Sequence, residues 1–302
     1  MKSDQYITAH PTLPEFDYVK PTTLVEASQL LVDHAGEARP LLGGTDIFVR
    51  MRDGVWEDKY LVDVKALEGL DGITFDPIAG LTIGAAVNMN RVSADPQVSE
   101  HYSVLGEAIE SVASYQLRSR ATIVGNICNA SPAGDTIGAC ILLDGVLKVF
   151  GPAGVRQEPL SNFFCGPGET NLKSGDIVIS LQLPLPPQGL VGRYFKLGRN
   201  EASDLSIVGV TVVGYPDADS VSGFRIRLAL ASVAPVPLEV KEVEALLGSN
   251  PITPQLLETA AQVAMDTCTP IDDVRASARY RKFMVRNISR KVLTDVWSSL
   301  QD

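Results

Sequence analysis

The sequence has little of what metal centres and covalent catalysts need. It contains only 4 cysteines and 3 histidines in 302 residues, and no two cysteines form a C-x-x-C pair. Zinc or iron–sulfur ligation within this chain is therefore not expected. Dinucleotide-fingerprint, P-loop, H-E-x-x-H and G-x-S-x-G motifs are also missing. We predict no metal ligand and no catalytic residue, and the histidines are typical of surface positions.

Long apolar runs and an excess of positive charge are missing as well. No run approaches the ~20 residues of a membrane span, and the first ten residues lack the apolar core of a secretion signal. With 26 Lys and Arg against 36 Asp and Glu, the net charge is −10, which disfavours nucleic-acid binding. Unpaired cysteines fit a reducing compartment, so a cytoplasmic protein without a membrane span is expected. Any phosphate must then be bound by backbone N–H groups or by a few local cations.

The apolar pattern predicts three α+β units, at residues 1–55, 56–182 and 183–302. In the first, Thr23 and Glu26 have the spacing of a capping box, and Gly36 can end the helix that follows. A short strand then runs from Arg39 into Gly43-Gly44. In the second unit we expect strands at Tyr60–Val64 and Leu81–Ala85, a helix at Ser103–Ala113, and a hairpin turning at Asp144-Gly145 between Cys140–Leu143 and Val146–Phe150.

A segment rich in proline and glycine, Leu183–Gly192, predicts a link to the third unit. Beyond it, Phe224–Ser232 alternates apolar and polar residues, as a half-exposed antiparallel strand does. A helix should start at Thr253-Pro254, where an N-cap precedes a proline. The other elements expected here are a strand at Val208–Val213, helices at Leu238–Leu247 and Val274–Leu300, and on the last helix a basic stripe typical of a solvated face, formed by Arg275, Arg279, Lys282, Arg286 and Arg290.

The first candidate binding segment is Leu41-Leu42-Gly43-Gly44-Thr45-Asp46. A strand running into two glycines lets the backbone approach a ligand and direct consecutive N–H groups at it. Such a loop can hold a pyrophosphate without net positive charge. The alternative is a strand–turn–helix corner, in which Thr45 or Asp46 caps the helix.

The second candidate segment runs from Thr122 to Asp135 and is dense in small and hydrogen-bonding residues. Thr122, Asn126 and Ser131 can donate to phosphate oxygens, whereas the Asp135 carboxylate can only accept. Asp135 would repel phosphate and should therefore face hydroxyl groups. The alternative is a polar loop that satisfies its own backbone, with Asp135 capping the next helix.

Taken together, the two segments resemble the medium, FAD-binding subunit of the molybdenum hydroxylases, the family of the CO dehydrogenase medium subunit and the flavin portion of xanthine dehydrogenase. The resemblance covers nearly the whole chain. It rests on PLLGGTD and ATIVGNICNASPAGD, on FDYVKP before the first helix, on NFFCG and YFKLGR in the middle, and on ASARYR near the end. It implies a vanillyl-alcohol-oxidase or PCMH-type FAD-binding fold with a C-terminal α+β domain of the CO dehydrogenase flavoprotein type.

The resemblance also implies roles for individual residues in binding FAD. Arg39 and the loop Leu42, Gly43, Gly44, Thr45 and Asp46 would surround the diphosphate, and Thr122, Gly125 and Asn126 would complete that cradle. Asp135 would meet hydroxyls of the FAD chain. Tyr194 matches an aromatic placed against the isoalloxazine ring, and Lys196 matches a lysine at the polar edge of the flavin; without the family pattern, both would be read as a strand edge. Val124 departs from the pattern, because many relatives have glycine there.

The function implied is electron transfer within a larger complex. The FAD would take electrons from [2Fe–2S] clusters on a small partner subunit and pass them to an external acceptor, while a large subunit carries the molybdopterin-type molybdenum cofactor, in a dimer of heterotrimers. The branch with an extra iron–sulfur cluster in this subunit, 4-hydroxybenzoyl-CoA reductase, is disfavoured because the cysteine cluster is missing. Two other functions remain open: a self-contained FAD-dependent oxidase of the same fold, and a non-catalytic assembly subunit.

Overall fold

The computed structural model describes residues 12–200 and 203–301. Its first unit is a three-stranded parallel sheet in which β3 (Tyr60–Asp63) lies between β1 (Asp17–Val19) and β2 (Ala38–Leu41). The sequence had assigned the strand at Tyr60–Val64 to the second unit, whereas the structure pairs it in this first sheet. The Thr23 hydroxyl accepts from the N–H of Glu26 at 3.1 Å, and Glu26 accepts in return from the N–H of Thr22, so the predicted cap exists with its return bond one residue earlier. The elements are β1 Asp17–Val19, α1 Leu24–Asp33, β2 Ala38–Leu41, α2 Ile47–Arg52 and β3 Tyr60–Asp63.

The second unit is a five-stranded antiparallel sheet in the order β4-β5-β10-β6-β7, covered by six short helices. The strands are β4 Ile73–Asp76, β5 Gly80–Gly84, β6 Val146–Gly151, β7 Gly154–Pro159 and β10 Ile177–Leu183, with a small hairpin of β8 Phe164–Gly166 and β9 Glu169–Thr170. The helices are α3 Met89–Ser93, α4 Pro96–His101, α5 Ser103–Glu110, α6 Tyr115–Arg118, α7 Ile123–Cys128 and α8 Ile137–Leu142.

The predicted hairpin at Asp144-Gly145 is wrong, because the residues before it form helix α8. All six residues of α8 are buried, so their continuous apolar run has no period that distinguishes a helix from a strand. Asp144 ends the helix in the left-handed region, with φ of 55°. The turn therefore joins a helix to β6, and it does not pair two strands.

The third unit is a four-stranded antiparallel sheet in the order β11-β12-β13-β14, packed against three helices. Thr253 caps α10 as predicted, accepting from the N–H of Leu256 at 3.1 Å, with Pro254 in the first turn. The first two residues of the predicted helix at 238–247 instead pair with β13. The elements are β11 Val191–Leu197, β12 Val208–Pro216, β13 Phe224–Ala231, β14 Leu238–Glu239, α9 Lys241–Gly248, α10 Pro254–Thr267 and α11 Ala278–Gln301.

Strand β13 is more buried than its alternation predicted. Every residue from 226 to 231 is buried, because α8 of the second unit packs on the sheet that α9 also covers. The buried Arg227 guanidinium donates hydrogen bonds to Glu239, to Asp144 and to the carbonyl of Leu142, at donor–acceptor distances of 2.7 to 2.9 Å. The second and third units thus share one continuous packing layer. Among the described helices, none has the length and apolarity that crossing a membrane requires.

Candidate functional site

A cavity of about 670 Å³ opens where the carboxyl end of β2 meets the loops of the second unit. Its size lies within the usual range for small-molecule and cofactor sites. Ligand sites in parallel sheets commonly lie beyond the carboxyl ends of the strands, and the loop after β2 has that position. Most of the wall comes from four segments, within residues 38–47, 121–135, 168–178 and 203–205, and single residues such as Trp56 add to it.

The loop after β2 presents main-chain donors to this cavity. Among the described residues, no protein group accepts a hydrogen bond from the N–H of Gly43, Gly44, Thr45 or Asp46. Asp46 begins α2 without a hydrogen bond from its side chain to the helix, so the corner-capping alternative does not account for it. Consecutive unpaired N–H groups form a site that favours an anion.

The two glycines of this loop have separate structural reasons. A Cβ on Gly43 would lie 2.3 Å from the carbonyl oxygen of Arg120, so glycine allows the first loop to touch the second. Gly44 has φ of +73°, and its Cβ would lie 2.9 Å from the Phe48 ring. Both glycines therefore make close approaches within the protein, in addition to any approach to a ligand.

The second loop folds around the start of α7. The Thr122 hydroxyl caps this helix by accepting from the N–H of Gly125 at 2.8 Å, and the Asn126 side chain accepts from the Thr136 hydroxyl at 2.9 Å. Val124 is buried in the cavity wall, where it fills space that glycine would leave open. The side chains of Thr122 and Asn126 thus shape the loop, and both residues line the cavity.

Asn129 contributes an acceptor that the sequence did not single out. Its Oδ1 is buried and has no hydrogen-bond partner among the described residues, although Asn129 lines the cavity. An unpartnered buried acceptor costs about 1–3 kcal/mol unless a ligand or water supplies a donor. The only signal in the sequence was its position inside the polar segment from 122 to 135.

Asp135 lines the same wall and is held from behind by β11. Its carboxylate accepts from the Tyr194 hydroxyl at 2.6 Å and from the Lys196 ammonium at 2.8 Å, and Lys196 also donates to the carbonyl of Ser111 at 3.0 Å. Asp135 does not cap α8, whose N-cap is Thr136. Burial raises the pKa of Asp135, against the opposing effects of the Lys196 charge and of hydrogen bonds from Lys196 and Tyr194. Burial, and then the Asp135 charge and hydrogen bond, raise the pKa of Tyr194 well above 10.

Arg39 and Trp56 form the part of the wall nearest α2. The Arg39 guanidinium lies 3.8 Å from the centre of the Trp56 ring and donates to Asp58 at 2.7 Å. Both Arg39 and Trp56 line the cavity. Trp56 had no signal in the sequence, because a lone tryptophan between two elements matches no motif.

Comparisons with known proteins agree on one family. The family model described as the FAD binding domain in molybdopterin dehydrogenase matches residues 14–186, and the CO dehydrogenase flavoprotein C-terminal domain matches residues 193–296. The chain belongs to the family of FAD-binding flavoproteins of the molybdopterin dehydrogenases. It is accordingly an FAD-binding subunit of a flavoprotein oxidoreductase, and the predicted fold is confirmed.

Individual relatives match over almost their full length. The xanthine dehydrogenase FAD-binding subunit of Escherichia coli O157:H7 is 30% identical over 279 residues, 92% of this chain and 94% of the relative. The carbon monoxide dehydrogenase medium chain of Hydrogenophaga pseudoflava is 29% identical over 285 residues, 94% and 98% of the two chains. A solved structure of carbon monoxide dehydrogenase from the same organism superposes with a TM-score of 0.90, covering 95% of this chain and 99% of that one.

Most of the predicted FAD-binding residues lie together in this flavoprotein subunit. Tyr194 and Lys196 are the exceptions, since neither belongs to the cavity wall formed by the described residues and both bind Asp135 instead. Their predicted contacts with the flavin stay predictions. The predicted residues that do line the cavity are Arg39, Leu42, Gly43, Gly44, Thr45, Asp46, Thr122, Gly125, Asn126 and Asp135.

Two histidines stack on aromatic rings, and one cysteine lies in the cavity wall. His34 packs on Tyr60 with ring centres 3.9 Å apart, and His101 stacks on Phe75 at 5.1 Å, while His10 lies outside the described residues. Burial raises the pKa of the Cys128 thiol to about 12, so this cysteine of the cavity wall stays protonated. Within residues 12–200 and 203–301, no group of three or more His, Cys, Asp and Glu side chains could hold a metal ion.

Proposed function

We propose that this flavoprotein subunit is the electron-transfer subunit of a molybdenum-containing hydroxylase or dehydrogenase complex. The proposal rests on one observation: in a chain of the FAD-binding family, the wall of the cavity offers unpaired main-chain N–H donors and side-chain acceptors. Relatives named as a medium chain of carbon monoxide dehydrogenase and as a subunit of the 6-hydroxypseudooxynicotine dehydrogenase complex support a place in an assembly.

The donors and acceptors of the cavity fit FAD. The N–H groups of Gly43 to Asp46 would donate hydrogen bonds to the diphosphate, and the second loop around Gly125 would enclose it from the other side. The Oδ1 of Asn129 and the carboxylate of Asp135 would accept from N–H or hydroxyl groups of the same molecule. FAD, when bound, supplies the exchange of one or two electrons, while the chain binds and orients it.

The other redox centres are placed on partner subunits. The four cysteines of this chain are free and scattered, and two of them are fully buried. We therefore assign the [2Fe–2S] clusters to a small subunit and the molybdenum cofactor to a large one, in a dimer of heterotrimers. A solved relative that superposes with a TM-score of 0.89 is a Cu,Mo-CO dehydrogenase, which supports a molybdenum centre in the complex. Free thiols also suit a cytoplasmic location.

The proposal is tested by asking what reduces the bound flavin. The isolated, FAD-loaded chain is mixed anaerobically with dithionite and, separately, with candidate organic substrates, and bleaching of the flavin absorption is followed. We expect dithionite to bleach it and an acceptor to restore it, whereas organic substrates bleach it only in the complete complex.

Two outcomes favour the alternative functions. Rapid bleaching of the isolated chain by an organic molecule other than a nicotinamide would make it a self-contained oxidase. A chain that binds no FAD, alone or in its complex, would be a non-catalytic assembly subunit. Purification of the native complex with iron and molybdenum determination provides the control.

A further inference from the structure

Positive charge is concentrated on the last helix of an otherwise acidic chain. Residues 274–294 contain no Asp or Glu, while the whole chain has 36 acidic and 26 basic residues. The apolar face of α11 packs into the core of the third unit, and apart from Arg281 none of the cations on this helix is buried. The seven basic residues in this stretch are Arg275, Arg279, Arg281, Lys282, Arg286, Arg290 and Lys291.

Some of these cations have structural partners. Arg281 is buried and binds Asp273 at 2.7 Å, Arg290 lies 3.4 Å from Glu258, and Lys291 binds Asp295 at 2.6 Å. The first two contacts join α11 to residues outside it, and the third lies within the helix. They leave the middle of the outer face without acidic partners.

Arg279, Lys282, Phe283 and Arg286 form this remaining patch, the Phe283 surface. In the part of the chain that the structure describes, none of its three cations makes an ion pair. Phe283 is 40% exposed, and the guanidinium carbons of Arg279 and Arg286 lie 5.6 and 6.0 Å from its ring centre. Like charges three and four residues apart on a helix destabilise it by a few tenths of a kcal/mol per pair, so folding of the chain does not explain the patch.

We propose that the Phe283 surface docks an acidic surface of a partner subunit in the same complex. This inference rests on the proposed function. Arginines flanking an exposed aromatic are the residue types enriched at the centres of protein interfaces, and guanidinium groups bind carboxylates in a bidentate manner. The partner's contact should therefore combine Asp or Glu side chains with an apolar pocket for the Phe283 ring.

Other occupants fit the patch less well. Three cations on a chain of net charge −10 release too few counterions to hold a nucleic acid. One half-exposed phenylalanine does not provide the apolar face that a helix needs to lie in a membrane surface. A second copy of this chain would also offer carboxylates, and the test separates it from a partner subunit.

The test uses the complex purified through a tag on this chain. The double variant Arg279→Glu/Arg286→Glu is compared with wild type and with Arg52→Glu/Lys148→Glu, which changes the net charge equally at exposed sites on other elements. We expect the first variant to weaken partner binding at least about tenfold, with wild-type binding falling steeply as salt is raised, and the control to be unchanged. FAD content and the thermal midpoint of each variant report whether the chain has folded.

Crosslinking identifies the occupant directly. Phe283→p-benzoylphenylalanine is introduced into the complex, irradiated and mapped by mass spectrometry. A crosslink to an acidic segment of another subunit supports the proposal. A crosslink to a second copy of this chain, or no crosslink together with unchanged binding of the charge-reversed variant, overturns it while leaving the proposed function intact. A wild-type chain isolated without iron–sulfur and molybdenum subunits overturns both.

Discussion

The buried contact between Asp135 and Lys196 allows a sharp test of how the third unit supports the FAD cavity. The two side chains are 7% and 13% exposed, and the Lys196 Nζ lies 2.8 Å from the carboxylate. Asp135→Ala would leave the ammonium with the carbonyl of Ser111 as its remaining acceptor, and the Tyr194 hydroxyl without one. The change therefore leaves the Lys196 charge without its ion-pair partner and the Tyr194 hydroxyl without its acceptor, in a largely buried site.

The expected cost follows from these contacts. Removing one partner of a buried ion pair costs about 3–5 kcal/mol, and the slight exposure of Lys196 places this case near the lower end. Replacing both charges, in Asp135→Ala/Lys196→Met, removes the stranded ammonium and should cost less than Asp135→Ala alone. The residual cost should be about 1–3 kcal/mol, because the Tyr194 hydroxyl is still unpaired. Adding Tyr194→Phe should recover most of it.

The same variants separate support of the fold from binding of FAD. Urea unfolding of the apoprotein measures the free energy of unfolding, and flavin fluorescence titration measures FAD affinity. Asp135→Ala should weaken FAD binding by about 1–3 kcal/mol in addition to its effect on stability, since an acceptor in the cavity wall is lost.

Two results would refute this reasoning. If the free energies of Asp135→Ala and Lys196→Met add in the double variant within about 0.5 kcal/mol, the two groups are not coupled. If Asp135→Ala destabilises the apoprotein but leaves FAD affinity unchanged, the carboxylate only joins the units and has no role toward the cofactor.

Two other changes test the glycine contact and the acid stability. Gly43→Ala should push the two loops apart, because its Cβ would lie 2.3 Å from the Arg120 carbonyl oxygen, and FAD content should fall. Gly72→Ala is the matched control, because a Cβ at Gly72 would have nothing within 4 Å. Equal FAD content in the two variants would contradict this reasoning. At Asp273, burial opposes ionisation, but hydrogen bonds from main-chain N–H groups and from Arg281 lower the pKa to about 2 from 3.8. The stability that this ionised carboxylate contributes is present above about pH 4 and is lost as pH falls through 2. Asp273→Asn should therefore lower the free energy of unfolding by a constant amount at neutral pH and by progressively less between pH 4 and 2. A difference between variant and wild type that is unchanged at pH 2 would show that ionisation of Asp273 is not its cause.

Local signals in the sequence predicted the parts of the fold that local chemistry determines. The caps at Thr23 and Thr253 depend on the bonding of one hydroxyl to an N–H three residues later, so a short segment contains the whole cause. Helix α8 was missed because its burial comes from a sheet in another unit. Gly138 shows this dependence, since a Cβ there would lie 2.6 Å from the Thr211 hydroxyl of β12. No local pattern contains a packing partner more than 70 residues away.

The same limit applies to the site. The two glycine-containing loops were predicted because their composition is unusual, and the structure joins them at Gly43 and Arg120. The positions of Tyr194 and Lys196 relative to the cavity could not be read from the sequence, because they depend on how β11 approaches the second loop. The resemblance predicts both residues at the flavin, which stays a prediction, and the structure adds that each of them binds Asp135.

The charges in the cavity wall explain why an acidic chain can hold an anionic cofactor. Asp176 binds Arg156 at 2.8 Å and Asp204 lies 3.4 Å from Arg199, so two wall carboxylates have a cation close by. Asp135 is paired with Lys196 in the same way, whereas the wall cation Arg39 is already bound to an aspartate.

Apart from Arg39, the cavity wall formed by the described residues contains one cation, Lys173, which is exposed and makes no ion pair there. Arg39 is committed to Asp58, and Asp46 adds a negative charge next to the first loop. In the proposed function, the unpaired N–H groups between Gly43 and Asp46 attract the phosphates, with Lys173 as the one unpaired cation of the described wall. Both sources fit the expectation, drawn from the net charge of −10, that backbone N–H groups or a few local cations bind any phosphate. Because such dipoles act only over short distances, we expect FAD binding to depend more on the loop geometry that the two glycines permit than on the net charge of the chain.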